Sequence, residues 1–189
     1  MIKIGILGDI GSGKSYVAKN FGYPVFNADA EVGKLYKKDK KIFNKLKKVL
    51  PEHIHSFPIN KNEVSNAILA NKVNLKKIVK IIHLEIRKKM NIFLIKNKNK
   101  KIVVLDIPLL LENKINRKND ILIFVKSKKL DISKKLKKRK NFNKKLLIKF
   151  KNIQLPLDYK IKKSQFIIKN NCTKKSVIIS IKKILKEIL

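Results

Sequence analysis

The residues best suited to chemistry lie in one short stretch near the start of the sequence, GDIGSGKSY, residues 8–16. The stretch satisfies the pattern G-x-x-x-x-G-K-[ST] at every fixed position. Glycines let the backbone curl until successive N–H groups point at one phosphate, and a following helix adds its positive N-terminal end. In such a loop Lys14 reaches the β- and γ-phosphates of a nucleotide, and the Ser15 hydroxyl binds Mg²⁺. The residues predicted to bind the nucleotide here are Gly8, Gly11, Ser12, Gly13, Lys14, Ser15 and Tyr16, in a loop that could belong to a GTPase, a motor ATPase or a small-molecule kinase.

A phosphate loop indicates a nucleotide but not a reaction, so the acceptor side of the site matters. Asp29 stands at the end of a second short strand, which is predicted over YPVFNAD, residues 23–29. Ligands of open α/β sheets bind at the carboxyl ends of strands, where a carboxylate can orient an acceptor hydroxyl and take its proton. Asp is also a common helix cap, and NADAEVGKLY has the pattern of a helix start. Spacing alone leaves both roles open for Asp29.

The elements that must position these residues alternate between strands and helices. Short apolar runs predict buried parallel strands over residues 2–7, 23–29, 102–105, 120–125 and 165–170. Helical periodicity follows the glycine loop up to a C-cap at Gly22, and it returns over residues 74–96 and 175–189. The simplest fold that accounts for this pattern is α/β, with one five-stranded parallel sheet flanked by helices in a single domain.

Length and composition fit one compact domain with a real core, because the chain has 189 residues of which 44% are hydrophobic. No apolar run approaches the roughly 18 residues of a membrane span, so no membrane partner is expected. The apolar N-terminus runs straight into the glycine loop and lacks a cleavage site of small residues. Cys172 is the single cysteine, so an internal disulfide is excluded, which suits a reducing cytosol and predicts a cytoplasmic protein.

The formal net charge of +35 has two interpretations. Clustered Lys and Arg give proteins salt-dependent affinity for nucleic acid. Alternatively, the charge reflects compositional drift toward Lys, Asn and Ile, combined with attraction for anionic substrates. The lysines occur in every segment, and there are few arginines to make bidentate contacts with bases. Drift is therefore favoured, and no specific nucleic-acid partner is expected.

Longer stretches carry a resemblance to a known family. GDIGSGKSYVAKNFGYPVFNADAEVGKLY resembles the opening of dephospho-CoA kinases, where G-G-I-G-S-G-K-S precedes a strand and D-A-D. VVLDIPLLLEN resembles the family's strand followed by P-L-L-x-E, and IIHLEIRKKM resembles its H-P-x-I-R helix. LKKRKNFNKKLLIKFKNIQLPLDYKIKKSQFIIKNN resembles its lid and final strand, including Q-x-P-x-x-x-K and I-x-N. The resemblance spans nearly the whole chain.

The resemblance implies an adenylate-kinase-like P-loop fold and an enzyme that uses ATP and Mg²⁺. Such an enzyme transfers the γ-phosphate of ATP to the ribose 3′-hydroxyl of dephospho-CoA, the last step of coenzyme A biosynthesis. The implied parts are a core of about residues 1–36, 100–126 and 164–189, a helical substrate-binding part of about 37–99, and a lid of about 127–163. A monomer is the favoured oligomeric state.

The resemblance also implies roles for single residues. Asp29 corresponds to the catalytic acid of D-A-D, and it joins Lys14 and Arg139 as the predicted catalytic set. Arg139 matches the lid arginine that contacts the ATP phosphates, and Asn170 matches the I-x-N position near the adenine. Lys135 stands where the family usually has another arginine.

Two substrate-binding residues, His83 and Arg87, match the H-P-x-I-R segment, although a structural role stays open for His83 at the edge of an apolar face. Lys135 and Arg139 are four residues apart, which predicts one shared helix face, and Ser127 is predicted to cap that helix. A merely solvated basic face is the alternative for this pair.

Several positions depart from the family pattern, and these are Asp9, Tyr16, Asn27, Leu84 and Phe150. Asp9 adds negative charge near the phosphates, so its side chain must point away or weaken nucleotide binding. Asp106 resembles a Walker-B acid and is expected to contact Mg²⁺ only through water. Two other functions stay open: another P-loop small-molecule kinase, such as one for nucleoside monophosphates, and a basic nucleic-acid-binding ATPase.

Overall fold

The computed structural model describes residues 1–139, 142–171 and 173–189. Cys172, on which the prediction of a reducing compartment rests, lies outside the described residues, as do Lys140 and Asn141 of the predicted lid. The strands are β1 Ile2–Gly8, β2 Val25–Asn27, β3 Ile102–Asp106, β4 Ile121–Lys126 and β5 Phe166–Lys169. The helices are α1 Lys14–Lys19, α2 Ala28–Lys38, α3 Lys40–Val49, α4 Lys61–Ala70, α5 Lys72–Lys96, α6 Lys129–Lys137, α7 Lys144–Asn152, α8 Leu157–Lys163 and α9 Lys174–Ile188.

The strands of the described chain form one parallel sheet of five, in the order β2-β3-β1-β4-β5. Central β1 pairs with β3 and β4, so that Gly8 lies opposite Val125. Because all the strands run in the same direction, their carboxyl ends meet at one edge of the sheet. The predicted α/β class and its five parallel strands are confirmed.

The sheet is apolar because helices cover both of its faces. Every residue of β3 is buried, and Ile4 and Ile6 of β1 are completely inaccessible to solvent. The predicted tail helix is confirmed as α9, which buries its apolar stripe in the same core. Each fully buried aliphatic side chain of this kind contributes roughly 1.5–3 kcal/mol. No helix within residues 1–139, 142–171 and 173–189 combines the length and apolar character needed to cross a bilayer.

The chain divides into two compact units. The first unit contains the sheet and comprises Met1–Asn27, Asn97–Asn143 and Phe150–Leu189. The second unit is helical and comprises Ala28–Lys96 and Lys144–Lys149, so α7 begins in one unit and ends in the other.

The second unit is organised around the long helix α5. Its predicted apolar face is confirmed, with Ile78, Ile82 and Ile86 buried at intervals of one turn. Helix α4 ends in this unit at carbonyl groups that have no partner within the helix. Lys149 is a partner for two of these carbonyls, because its ammonium donates to Ile68 O at 2.7 Å and to Leu69 O at 2.9 Å. A cation at this end also suits the helix dipole.

A buried ion pair fastens α8 within the first unit. The ammonium of Lys160, a residue only 3% exposed, lies 2.6 Å from Glu112 Oε1. The same oxygen accepts the Leu155 N–H at 2.9 Å. Glu112 Oε2 is buried and has no hydrogen-bond partner among the described residues. The Glu112 charge therefore depends on Lys160 for most of its compensation.

Replacing Lys160→Met is expected to lower the free energy of unfolding by about 3–5 kcal/mol, because it leaves the Glu112 carboxylate buried without its cation. Urea unfolding followed by circular dichroism measures the change. Lys162→Met, which alters an exposed lysine of the same helix, serves as the matched control. The combined Glu112→Gln and Lys160→Met variant should recover most of the loss. A loss for Lys160→Met no larger than that for Lys162→Met would contradict this account.

Candidate active site

The loop between β1 and α1 has the backbone of an anion receptor. Gly13 has φ 91°, and a Cβ there would collide with the side-chain amide of Asn170. Gly11 has φ 87°, and a Cβ there would come within 3.0 Å of Leu136 Cγ on α6. Glycine is needed at both positions, because each combines a left-handed conformation with a close neighbour. The predicted strand–loop–helix context of the motif is confirmed.

The side-chain ammonium of Lys14 binds the backbone of the phosphate loop. The ammonium donates to Gly8 O at 3.1 Å and to Asp9 O at 2.8 Å. Both carbonyls belong to the phosphate loop itself. A bound phosphate oxygen can therefore replace a carbonyl as acceptor while the ammonium stays close to the loop. Tyr16, two residues further on, is 41% exposed on α1.

Asp9 does not turn away from the loop. Its Oδ1 accepts the N–H of Ile10 at 2.7 Å, and its backbone carbonyl accepts the N–H of Ser12 at 3.2 Å. The carboxylate thus stays beside the phosphate-binding backbone and occupies one of its N–H groups. We expect it to oppose the binding of a polyanion.

Two side chains donate hydrogen bonds to the carbonyl oxygen of Ser12. Ser127 Oγ and Asn170 Nδ2 each donate to it at 2.8 Å. The prediction that Ser127 caps the next helix is wrong, because the N-cap of α6 is Lys128 and no side chain caps it. Ser127 and Asn170 directly follow β4 and β5, and this position at the carboxyl edge is the sequence signal that could have identified Ser127.

A second polar group lies at the ends of β2 and β3. Asn27 is paired with Asp106 in the sheet, and its amide donates to Asp106 Oδ2. The same amide nitrogen lies 3.4 Å from Ser15 Oγ. Asp106 is only 3% exposed. Sequence reasoning treated Asn27 as a tolerated departure and did not foresee that it would bridge Ser15 and Asp106.

The donors at this edge suit Mg²⁺, which prefers oxygen ligands and usually keeps several waters beside one or two protein groups and substrate phosphates. Ser15 offers a hydroxyl and Asp106 a carboxylate, with Asn27 between them. Within the described part of the chain, no group of three or more His, Cys, Asp or Glu residues could hold a metal by itself.

Asp29 belongs to a helix and not to a strand end. Strand β2 stops at Asn27, so the prediction of a strand over residues 23–29 is too long. Asp29 is the second residue of α2, in the second unit, where it shares the first turn with Glu31. Its side chain is exposed. Two carboxylates in a first turn are favoured by the helix dipole.

His83 and Arg87 lie one turn apart on α5, also in the second unit. His83 is half-buried, whereas Arg87 is exposed. Burial lowers the pKa of His83 below its ordinary value of 6.5, and the Arg87 charge lowers it further. The imidazole is therefore neutral at pH 7 and can accept or donate one hydrogen bond through each ring nitrogen. Lys89 on the same helix pairs with Glu31 of α2 at 3.9 Å.

The predicted lid cations are arranged differently from the expectation. Helix α6 ends at Lys137, so Arg139 lies in the following turn and the prediction of a helix face shared with Lys135 is wrong. Arg139 is exposed and Lys135 is partly buried. Lys149, the neighbour of the departing residue Phe150, binds the end of α4 through its ammonium.

Comparison with known proteins gives consistent matches. The sequence profile of the family described as Dephospho-CoA kinase matches residues 2–176. A curated relative named Dephospho-CoA kinase, from Wolbachia sp. subsp. Brugia malayi, is 38% identical over 127 residues. That alignment spans 65% of this chain and 65% of the length of the relative.

Solved structures show the same fold. The crystal structure of TT1252 from Thermus thermophilus has a TM-score of 0.78 at 23% identity and covers 100% of this chain and 98% of that one. Dephospho-CoA kinase from Campylobacter jejuni has a TM-score of 0.64 at 21% identity, covering 98% and 96%. At these identities the likeness is one of fold.

We expect Asp9→Asn to tighten ATP binding by about two- to threefold. Asn keeps an acceptor for the Ile10 N–H, while one negative charge beside a bound polyanion costs roughly 0.5 kcal/mol at a high dielectric constant. Isothermal titration calorimetry with ATP measures the dissociation constant. Asp158→Asn, the same change in the first turn of α8, is the control. Unchanged or weaker binding by Asp9→Asn would refute the opposing role of its charge.

The lowered pKa of His83 predicts a pH dependence of stability. The unfolded chain binds a proton near pH 6.5, whereas the folded chain does so only at lower pH. The free energy of unfolding should therefore decline as the pH falls through 6.5, and this part of the decline should be absent in His83→Gln. Urea unfolding of both proteins between pH 5 and pH 8 tests the difference. Parallel pH profiles would show that His83 titrates alike in both states.

Proposed function

The chain belongs to the dephospho-CoA kinase family, and from this premise we propose that it phosphorylates dephospho-CoA with ATP. The γ-phosphate passes to the ribose 3′-hydroxyl, whose proton goes to a carboxylate, and ADP leaves. The reaction would complete coenzyme A. The observation that carries the proposal is the glycine loop with its Lys14 ammonium in place, in a chain that matches the family over residues 2–176.

The proposed roles of the residues are those that the loop motif and the family resemblance imply. Lys14 and the N–H groups of the loop bind the phosphates of ATP, and Arg139 of the proposed lid neutralises the charge that develops on the transferred group. Asp29 orients the acceptor hydroxyl and takes its proton. The Ser15 hydroxyl would hold Mg²⁺, which would supply positive charge at the phosphates when bound.

Further parts of the proposal concern regions of the chain. We propose that the helices within about residues 37–99 bind dephospho-CoA, with His83 and Arg87 among the contacts. Residues of about 127–163 act as a lid that excludes water from the phosphates. We also propose a monomeric, cytoplasmic enzyme without a specific nucleic-acid partner. The family match favours this function over a nucleoside monophosphate kinase or a basic ATPase.

Asp29→Asn is expected to reduce kcat for dephospho-CoA roughly 10²- to 10⁴-fold, because Asn cannot take the hydroxyl proton. The measurement follows ADP release and 3′-phosphorylated product with Mg²⁺ and ATP. Glu31→Gln removes a carboxylate of the same helical turn, one that pairs with Lys34 and Lys89, and it should keep kcat within about threefold, the scale of a surface ion pair.

Two results would contradict the proposal. Equal losses of kcat in Asp29→Asn and Glu31→Gln would show that Asp29 acts only as a charge in the first turn of α2. A folded wild-type protein that binds ATP but does not phosphorylate dephospho-CoA would exclude the proposed acceptor. Testing nucleoside monophosphates in the same assay then separates another small-molecule kinase from a nucleic-acid-binding ATPase.

A further inference from the structure

The side chains behind the phosphate loop converge on one backbone atom. Ser127 Oγ and Asn170 Nδ2 both donate to Ser12 O at 2.8 Å, and Ser127 Oγ lies 3.0 Å from Asn170 O. Ser12 is 1% exposed and Asn170 is 3% exposed, so water does not compete for these bonds. The Asn170 N–H donates to Lys126 O at 2.8 Å, which fixes the two donors to neighbouring strand ends.

The direction of the Ser12 carbonyl sets the direction of the next N–H. In a trans peptide the C=O and the following N–H point in opposite directions. Since Ser12 O points back to Ser127 and Asn170, the N–H of Gly13 points away from them. Within the described residues that N–H has no hydrogen-bond acceptor. A flipped peptide would instead present a carbonyl oxygen to the phosphates and repel them.

Gly13 itself provides a second, independent constraint. A Cβ at this position would collide with the side-chain amide of Asn170. The amide of Asn170 therefore packs against the α-carbon of Gly13 while it binds the carbonyl of Ser12. This double contact leaves the Ser12–Gly13 peptide little room to rotate.

We infer that Ser127 and Asn170 are positioning residues, which hold the Ser12–Gly13 peptide so that the Gly13 N–H faces the phosphates of the nucleotide. The inference rests on the proposed function in taking ATP as the ligand, but it does not depend on the acceptor. It gives Asn170 a different task from contact with adenine, and it assigns a task to Ser127. Both act on the nucleotide through the loop and need not touch it.

The two tasks differ in the ligands that they affect. A residue that contacts adenine contributes to ATP binding but not to the binding of inorganic tripolyphosphate. A residue that orients the loop contributes equally to both. Calorimetric titration with ATP and with tripolyphosphate therefore separates them.

We expect Ser127→Ala to raise the dissociation constants of ATP and of tripolyphosphate by the same factor, about three- to tenfold, the scale of one hydrogen bond. Asn170→Asp keeps the shape but places a carboxylate oxygen against Ser12 O, and it should raise both constants by at least tenfold. Ser127→Thr retains the hydroxyl and should restore most of the affinity. In turnover the KM for ATP should rise by the same factor while the KM for dephospho-CoA stays constant.

A matched control excludes a general structural effect. Ser164 Oγ donates to Lys160 O at 2.8 Å, a bond of the same type, and Ser164 lies before the amino end of β5. Ser164→Ala and Ser127→Ala should lower the melting temperature to a similar degree, but Ser164→Ala should leave both dissociation constants unchanged.

Three outcomes overturn the inference. Unchanged binding in Ser127→Ala and Asn170→Asp would remove the positioning role. A loss for ATP without a loss for tripolyphosphate would make Asn170 an adenine contact. A wild-type protein that binds neither ligand would overturn both proposals, whereas one that binds both ligands without phosphorylating dephospho-CoA would overturn only the proposed function.

Discussion

A receptor for phosphate that is made of backbone N–H groups works only if the carbonyls of the same peptides point away from the phosphate. In this chain the carbonyl of Ser12 binds Ser127 and Asn170, and the carbonyls of Gly8 and Asp9 bind the Lys14 ammonium. The parallel sheet makes this arrangement possible, because it brings the ends of β4 and β5 to the edge at which β1 runs into the loop.

The features that sequence reasoning predicted are those with local signals. Five apolar runs gave five strands, with boundaries displaced by a few residues, because burial on both faces requires uninterrupted apolar residues. The glycine loop was predictable because its glycines, lysine and serine must be adjacent in sequence to surround one phosphate. The helix over residues 74–96 kept its apolar period and was found as α5.

Other features depend on partners that sequence distance conceals. Ser127 meets Ser12 across 115 residues, and Lys149 meets Ile68 across 81 residues. No local pattern distinguishes Lys149 from neighbouring lysines, and Ser127 is marked only by its position directly after β4. The end of α6 before Arg139 was missed because Lys137 and Lys138 continue a helical composition without a stop signal. The roles predicted for Asp29, Arg139, His83 and Arg87 stay predictions.

The lysine-rich composition also has a structural use. The sequence has 48 basic residues and 13 acidic ones, so most lysines have no carboxylate available to them. Lys160 has Glu112, whereas Lys14 and Lys149 bind backbone carbonyls at a loop and at a helix end. Backbone carbonyl groups thus serve as partners for some of the lysines that outnumber the carboxylates.

The bond between Asn170 and Ser12 spans 158 residues and therefore has a consequence for protein synthesis. The glycine motif is translated before β5, and Asn170, the second donor to Ser12 O, follows β5. A nascent or prematurely terminated chain carries the complete motif without the support that orients it. We expect the loop of a chain that stops before β5 to bind nucleotide more weakly than the loop of a chain that includes Asn170.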